Sequence, residues 1–266
     1  MTSTRPHVTR VTHVTYLTYL TYLTHLTHLT PCPLFLCLSL LLTAPALGAS
    51  NTPLKALLFT GGCCHDYARQ IPLLTSNINR QTPVQFEFAW SVDPLTNAAF
   101  AKNYDVIIYD LCFDNAKPGL LDNALQTLRE GKPAVILHCG VHAFRYFNKV
   151  HDWENAIGMR SKVHDPYQPF GTEKLDAQSA ILKDFPDHWR TKGDELYQTI
   201  ELISDSHPLL KAKSPRDGRE HTVCWTHLYG KGRVFATTLG HDMRTIEDPD
   251  YQRLVTRGLL WACGQP

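Results

Sequence analysis

From Lys55 onward, short uninterrupted apolar runs alternate with longer stretches of helical periodicity, and few architectures accept that rhythm. The runs are Lys55 to Thr60, Val84 to Trp90, Asp105 to Asp110 and Ala134 to His138. Between them lie helical stretches from Asp66 to Arg80 and from Pro118 to Glu130, the second carrying Leu121, Leu125 and Leu128 and stopped by Gly131. A third helix is expected from Val141 to Phe147. Strands apolar on both faces must be covered on both faces, which argues a parallel sheet with helices above and below. Right-handed crossovers then give an α/β fold with a doubly wound, mostly parallel sheet. In such folds ligands bind beyond the carboxyl ends of the strands.

Between Gly158 and Lys213 the rhythm breaks, with strand signals only at Gly171 to Leu175 and Glu195 to Ser204. Thr222 to Thr226 and Arg233 to Leu239 then read as a strand pair joined by Tyr229-Gly230-Lys231-Gly232, and Asp250 to Cys263 as a closing helix. No linker is visible, so residues 51–266 are expected to form one domain.

Residues 1–50 are of another kind. A triplet of Thr, Tyr or His, and Leu repeats from Thr12 to Thr30, matching neither helix nor strand periodicity. The apolar run Leu34 to Leu42 is followed by Ala44, Ala46, Gly48 and Ala49, the pattern of a secretory signal peptide. It is too short for a membrane span, which needs roughly 20 apolar residues. A periplasmic or secreted product is therefore expected, with cleavage after Ala46 or Gly48. Removing Arg5 and Arg10 with the leader leaves 26 − 2 = 24 basic against 25 acidic residues, a neutral balance that carries no nucleic-acid footprint. Six cysteines remain, some of which could pair in an exported protein; none has zinc-type spacing, and most sit within or beside apolar strands, as buried free thiols do.

The chemistry-bearing residues collect at the strand ends. His138 and His142 straddle the elbow where the fourth run meets its helix, and His241-Asp242 follow another strand end. Neutral histidines beside a carboxylate can move protons or ligate a metal, and Asp242 could orient a ring. Gly61 and Gly62 precede His65-Asp66; the glycines would allow close approach to a ligand, and Asp66 is either a ligand contact or a helix N-cap. Asp194-Glu195-Leu196-Tyr197 offers two carboxylates before a strand, one of which could be a general base, with Glu195 taken as lining the cleft, and His227 follows Trp225 near a turn. Cys139 adjoins His138, but neighbours on a strand point to opposite faces, so Cys139 is not read as the nucleophile. His65, His138 and His241 are expected to meet in one pocket, with His142 on its wall.

Taken together these motifs resemble the ThuA-like (trehalose utilisation) family. The resemblance lies in TGG-x-x-HD at Thr60 to Asp66, the strand ending in His138, DELY at Asp194 to Tyr197, W-x-H-x-x-G-x-GRVF at Trp225 to Phe235, and LGHD at Leu239 to Asp242. Ile181 to Trp189 resembles the segment that precedes DELY in that family. The resemblance implies a class I glutamine amidotransferase-like, flavodoxin-like scaffold. The elbow position would be His138, and His241 is followed by Asp242 rather than a Pro-Glu pair, so glutamine hydrolysis is not expected.

Family members are linked to oxidised sugars handled beside sugar oxidoreductases. The resemblance therefore implies a small-molecule sugar as partner, with a sugar oxidoreductase in the same pathway. The expected activity is isomerisation or hydrolysis of a keto-sugar or disaccharide, catalysed by His138, His241, Glu195 and Asp242. Gly61, Gly62, His65, Asp66, His142 and His227 would bind substrate. No cofactor is specified, and a divalent metal stays open. The alternative is a carbohydrate-binding or accessory domain without chemistry.

Overall fold

The computed structural model describes residues 52–115 and 119–266. The low-complexity and signal-peptide reading of residues 1–50 lies outside the described residues. In chain order the elements are β1 (Leu54–Gly62), α1 (Tyr67–Gln81), β2 (Val84–Ala89), β3 (Val106–Cys112), α2 (Leu120–Glu130), β4 (Ala134–Leu137), α3 (Val150–Ile157) and β5 (Met159–His164). They continue with β6 (Thr172–Lys174), β7 (Tyr197–Leu202), β8 (Ser206–Lys213), β9 (Glu220–Tyr229), β10 (Gly232–Thr237), α4 (Met243–Ile246) and α5 (Pro249–Ala262).

Eight strands form one sheet in the order β2-β1-β3-β4-β10-β9-β8-β6. The first five are mutually parallel, and β9, β8 and β6 extend the sheet antiparallel from β10. The expected mostly parallel α/β sheet is thus present. Alternation along the strands divides the core in two. Ala56 and Leu58 of β1 face Ile71 and Leu74 of α1 and Leu254 of α5, while Leu57 and Phe59 face Leu121 and Leu125 of α2 and Trp153 of α3. Strands β5 and β7 pair separately as a two-stranded antiparallel sheet. No helix among the described residues is long and apolar enough to cross a membrane.

Two expectations fail here for local reasons. Val141 to Phe147 is not an α-helix: a 3-10 turn covers His138–His142, and helix resumes only at Val150. Ala143 is extended (ψ 150°) and Phe144 is left-handed (φ 61°), so the helical ladder cannot propagate. Strands β5 (MRSKVH) and β8 (SHPLLKAK) form where no strand signal stands, because the first is largely charged and polar and the second contains Pro208.

Gly62 closes β1 at φ 101°, and a Cβ there would lie 2.1 Å from the Cys112 carbonyl oxygen of β3. The freedom expected to admit a ligand instead admits the neighbouring strand. Gly61 is similarly enclosed, since a Cβ on it would lie 3.3 Å from the Trp90 carbonyl oxygen. Gly62→Ala is expected to cost about 2–4 kcal/mol from left-handed strain and overpacking combined. The urea midpoint measures this, and an unchanged midpoint would contradict the assignment.

Candidate functional site

Four chain segments meet at the carboxyl edge of the parallel strands. The first is the elbow after β4. His138 sits there in the left-handed region (φ 42°), a conformation costly for a residue with a Cβ, and its side chain is only 2% exposed. Backbone strain at a strand end is often retained for function. Gly140 lets the turn pack onto β3, because a Cβ there would lie 2.4 Å from the Tyr109 carbonyl oxygen. The other segments are the loop after β1 with His65, the loop before β7 with Asp194 and Glu195, and the loop after β10 with Gly240 and His241.

The three histidines expected to converge do so. Ring centroids lie 4.9 Å apart for His65 and His138, 4.8 Å for His65 and His241, and 5.3 Å for His138 and His241. Glu195 reaches into the group: its Oε2 is 3.5 Å from His138 Nε2 and 3.3 Å from His241 Nδ1. His65 is tied at both nitrogens, Nδ1 to the His241 carbonyl at 3.0 Å and Nε2 to Cys139 Sγ at 2.9 Å. A carbonyl only accepts, so Nδ1 carries the proton and Nε2 receives the Cys139 S–H. Burial, reinforced by the neighbouring His138 and His241, lowers the His65 pKa to about 4, so this ring is neutral near pH 7.

His138 is held differently. Its Nδ1 donates to the Thr238 carbonyl at 2.6 Å, which leaves Nε2 facing Glu195 and, at 3.4 Å, the Tyr197 hydroxyl. Burial opposes its charged form, but Glu195, Asp194 and the Thr238 carbonyl outweigh burial and raise its pKa. Burial likewise pushes the Glu195 carboxyl up, while contacts with His138 and His241 prevail and hold it below the usual carboxylate range.

Asp194 organises this edge without entering it. It is fully buried and accepts from the backbone N–H groups of Gly240 (2.9 Å), His241 (3.2 Å) and Glu195 (2.8 Å) and from the Thr245 hydroxyl (2.8 Å). One carboxylate thereby fixes the backbones that carry Glu195 and His241. In the sequence Asp194 stood beside Glu195 only as one of two possible bases; its structural role was hidden because its hydrogen-bond partners Gly240 and His241 lie far along the chain. Tyr197 was also missed. Its ring stacks on His142 (4.0 Å, 13°), and its hydroxyl reaches Cys139 Sγ at 3.7 Å.

The remaining expected residues lie elsewhere. His142 is behind the Tyr197 ring, bonded through Nε2 to Ser161 Oγ at 2.9 Å; burial lowers its pKa to about 3. It lines a separate cavity of about 260 Å³ with Arg145, Glu154 and Ser161. Asp242 caps α4, accepting from the Arg244 N–H at 2.9 Å and from the Tyr167 hydroxyl at 2.7 Å, so it orients no histidine ring. Asp66 occupies the cap position of α1, but its side chain makes no capping bond and pairs instead with Arg69 at 3.6 Å.

His227 is buried within β9, between Ser206 Oγ (2.8 Å) and the Asn155 carbonyl (3.0 Å), and none of these partners belongs to the histidine group. Strand alternation turned its side chain inward, where the sequence had suggested a turn. Of the cysteines that could pair, Cys63 and Cys64 are joined to each other, whereas Cys112, Cys139 and Cys224 are free and buried. Ligand atoms of His138, Glu195 and His241 lie within 4.8 Å of one another and could hold a metal ion; those of His65, His138 and Cys139 and of Cys63, Cys64 and Cys112 are as close, but both His65 nitrogens are engaged and Cys63 and Cys64 are bonded to each other.

A mostly parallel sheet with a strained elbow at His138 and a histidine-lined carboxyl edge defines an α/β protein that carries its candidate site at the strand ends. The profile of the ThuA family, described as trehalose utilisation, matches residues 55–262, and the chain belongs to that family. A ThuA-like protein of Parabacteroides merdae superposes with a TM-score of 0.70 at 20% identity, covering 80% of this chain and 91% of that one. A second, from Bacteroides uniformis, gives 0.68 at 18% identity, covering 82% and 95%. A GMP synthase component of Thermoplasma acidophilum gives 0.53 at 11% identity, covering 80% and 95%. At these identities the likeness speaks for the fold. No curated protein matches at a significant level.

Cys139 is buried, and the neighbouring Cys112 together with burial pushes the thiol pKa up, opposite to what a nucleophilic thiolate needs. The protein is therefore expected to release no ammonia from glutamine. A direct ammonia assay checks this; release abolished by Cys139→Ser would reverse the reading.

Proposed function

We propose that this protein is an exported enzyme that isomerises or hydrolyses a sugar, specifically a keto-sugar or keto-disaccharide, at the His65–His138–His241–Glu195 edge. The observation that carries the reading is one ionised carboxylate set among three converging imidazoles at a strained elbow. The family's description, trehalose utilisation, supports a carbohydrate.

A carbon-bound proton beside a ketone is acidic enough for a carboxylate to remove, and a nearby donor stabilises the enediolate that forms. Glu195 is the base of this scheme. The Thr238 carbonyl confines His138 proton exchange to Nε2, the nitrogen that faces Glu195. Neutral His65 and the partly exposed His241 complete the polar wall. A sugar oxidoreductase would supply the ketone.

Incubating the protein with a panel of 3-keto-disaccharides and following products by NMR tests this. Sugar-dependent shifts in the protein spectrum with no product would favour the accessory binding role instead. Export has its own check: sequencing of mature protein from the periplasm or medium is expected to start between residues 47 and 51. A cytoplasmic product retaining residues 34–42 would contradict it.

A further inference from the structure

We propose that His138 Nε2, Glu195 Oε2 and His241 Nδ1 bind one divalent transition-metal ion of the zinc type. The tautomers make the case. His138 Nδ1 is committed as donor to the Thr238 carbonyl at 2.6 Å, so on the neutral ring Nε2 presents a lone pair. That lone pair faces Glu195 Oε2, an acceptor, at 3.5 Å. The same oxygen lies 3.3 Å from His241 Nδ1, a buried nitrogen with no hydrogen-bond partner. Once His138 Nε2 gives up the proton it can hold toward Glu195, the three groups turn electron pairs to one region, and a metal ion would take that proton's place.

The spacing fits an ion. Two ligands each about 2.0–2.2 Å from a tetrahedral zinc stand roughly 3.3–3.5 Å apart. The two observed separations, 3.5 and 3.3 Å, fall at that value. Two histidines and one glutamate are a donor set suited to zinc and its neighbours, and three protein ligands leave a position for water or substrate. Glu195 and His241 side chains are 15% and 23% exposed, so the group is not sealed from solvent.

The surroundings support ligation as they do in built metal sites. The Thr238 carbonyl fixes the His138 tautomer, and Asp194 holds the Glu195 and His241 backbones. His65 stays outside the set because both its nitrogens are engaged.

The ion site stands on this geometry, with Glu195 binding through Oε2 and leaving Oε1 as the base; its substrate rests on the proposed function. A ketone with a hydroxyl on the next carbon offers two adjacent oxygens to such an ion, and the ion would polarise the carbonyl while lowering the pKa of a bound water. The substrate class is accordingly an α-hydroxyketone sugar.

The full chain, stripped with a chelator and dialysed, is titrated with cobalt(II) alone, without sugar, following visible absorption and bound metal. One cobalt per chain is expected, displaced by zinc. His241→Ala and Glu195→Gln should each weaken binding by about 100-fold or more. Circular dichroism and a thermal melt establish that each variant is folded, and either one folded suffices for the comparison. Cys63→Ser/Cys64→Ser should bind cobalt as the wild type does. The site is overturned if the wild type takes up no cobalt, if the folded variant binds unchanged, or if only the cysteine variant loses the ion. Cobalt uptake with no turnover across the keto-sugar panel would sink the sugar reading and leave the ion site standing.

Discussion

Replacing Glu195 with Gln is expected to lower kcat on a responsive keto-sugar by at least about 100-fold, within the range of roughly 10²–10⁴ that a positioned acid–base group contributes. Glutamine preserves the size of the side chain and its ability to accept from a neighbouring N–H, but it cannot take a proton from carbon. It also removes the carboxylate whose oxygen lies between His138 and His241. Glu195 is partly exposed, so the fold should survive the change and the melting temperature should move little. Steady-state kinetics with the melt alongside separate the two effects. A variant retaining most of its kcat would remove Glu195 from the chemistry.

Asp194→Ala is expected to act in the opposite way, on stability first. Its carboxylate is fully buried and accepts from three backbone N–H groups and one hydroxyl. Alanine leaves those donors without partners in a site closed to water, which costs about 3–5 kcal/mol. Asp194→Asn keeps the shape and one accepting oxygen and should fall between wild type and alanine. Denaturant unfolding of both variants checks the order. Equal midpoints for alanine and wild type would mean that the loops find other partners.

Legibility in the sequence followed the range of the interactions involved. Strands β1, β3 and β4 could be read because each is an apolar run enclosed on both faces, and the meeting of His65, His138 and His241 followed from parallel strands ending on one edge. What stayed hidden depended on distant partners or single torsions. Asp194 acts on amides of the β10 loop, and no local pattern announces that. Phe144 takes a left-handed backbone that ordinary periodicity does not register, so a helix was expected where turns occur. His227 sits in a strand rather than beside a turn, and one step of strand alternation separates a solvent-facing ring from one sealed between Ser206 and Asn155. Asp242 looked like an orienting carboxylate because it follows His241, yet the backbone turns it to α4 and Tyr167.

The single carboxylate that accepts from the amides of Glu195, Gly240 and His241 also makes two loops one cooperative unit. Loops at a cleft commonly open independently, each with its own small free energy. Here Gly240 cannot leave Asp194 without exposing a charge that the other loop still needs, although the two residues are 46 positions apart. Native-state hydrogen exchange should therefore show the three amides opening together, with one protection factor and one denaturant dependence.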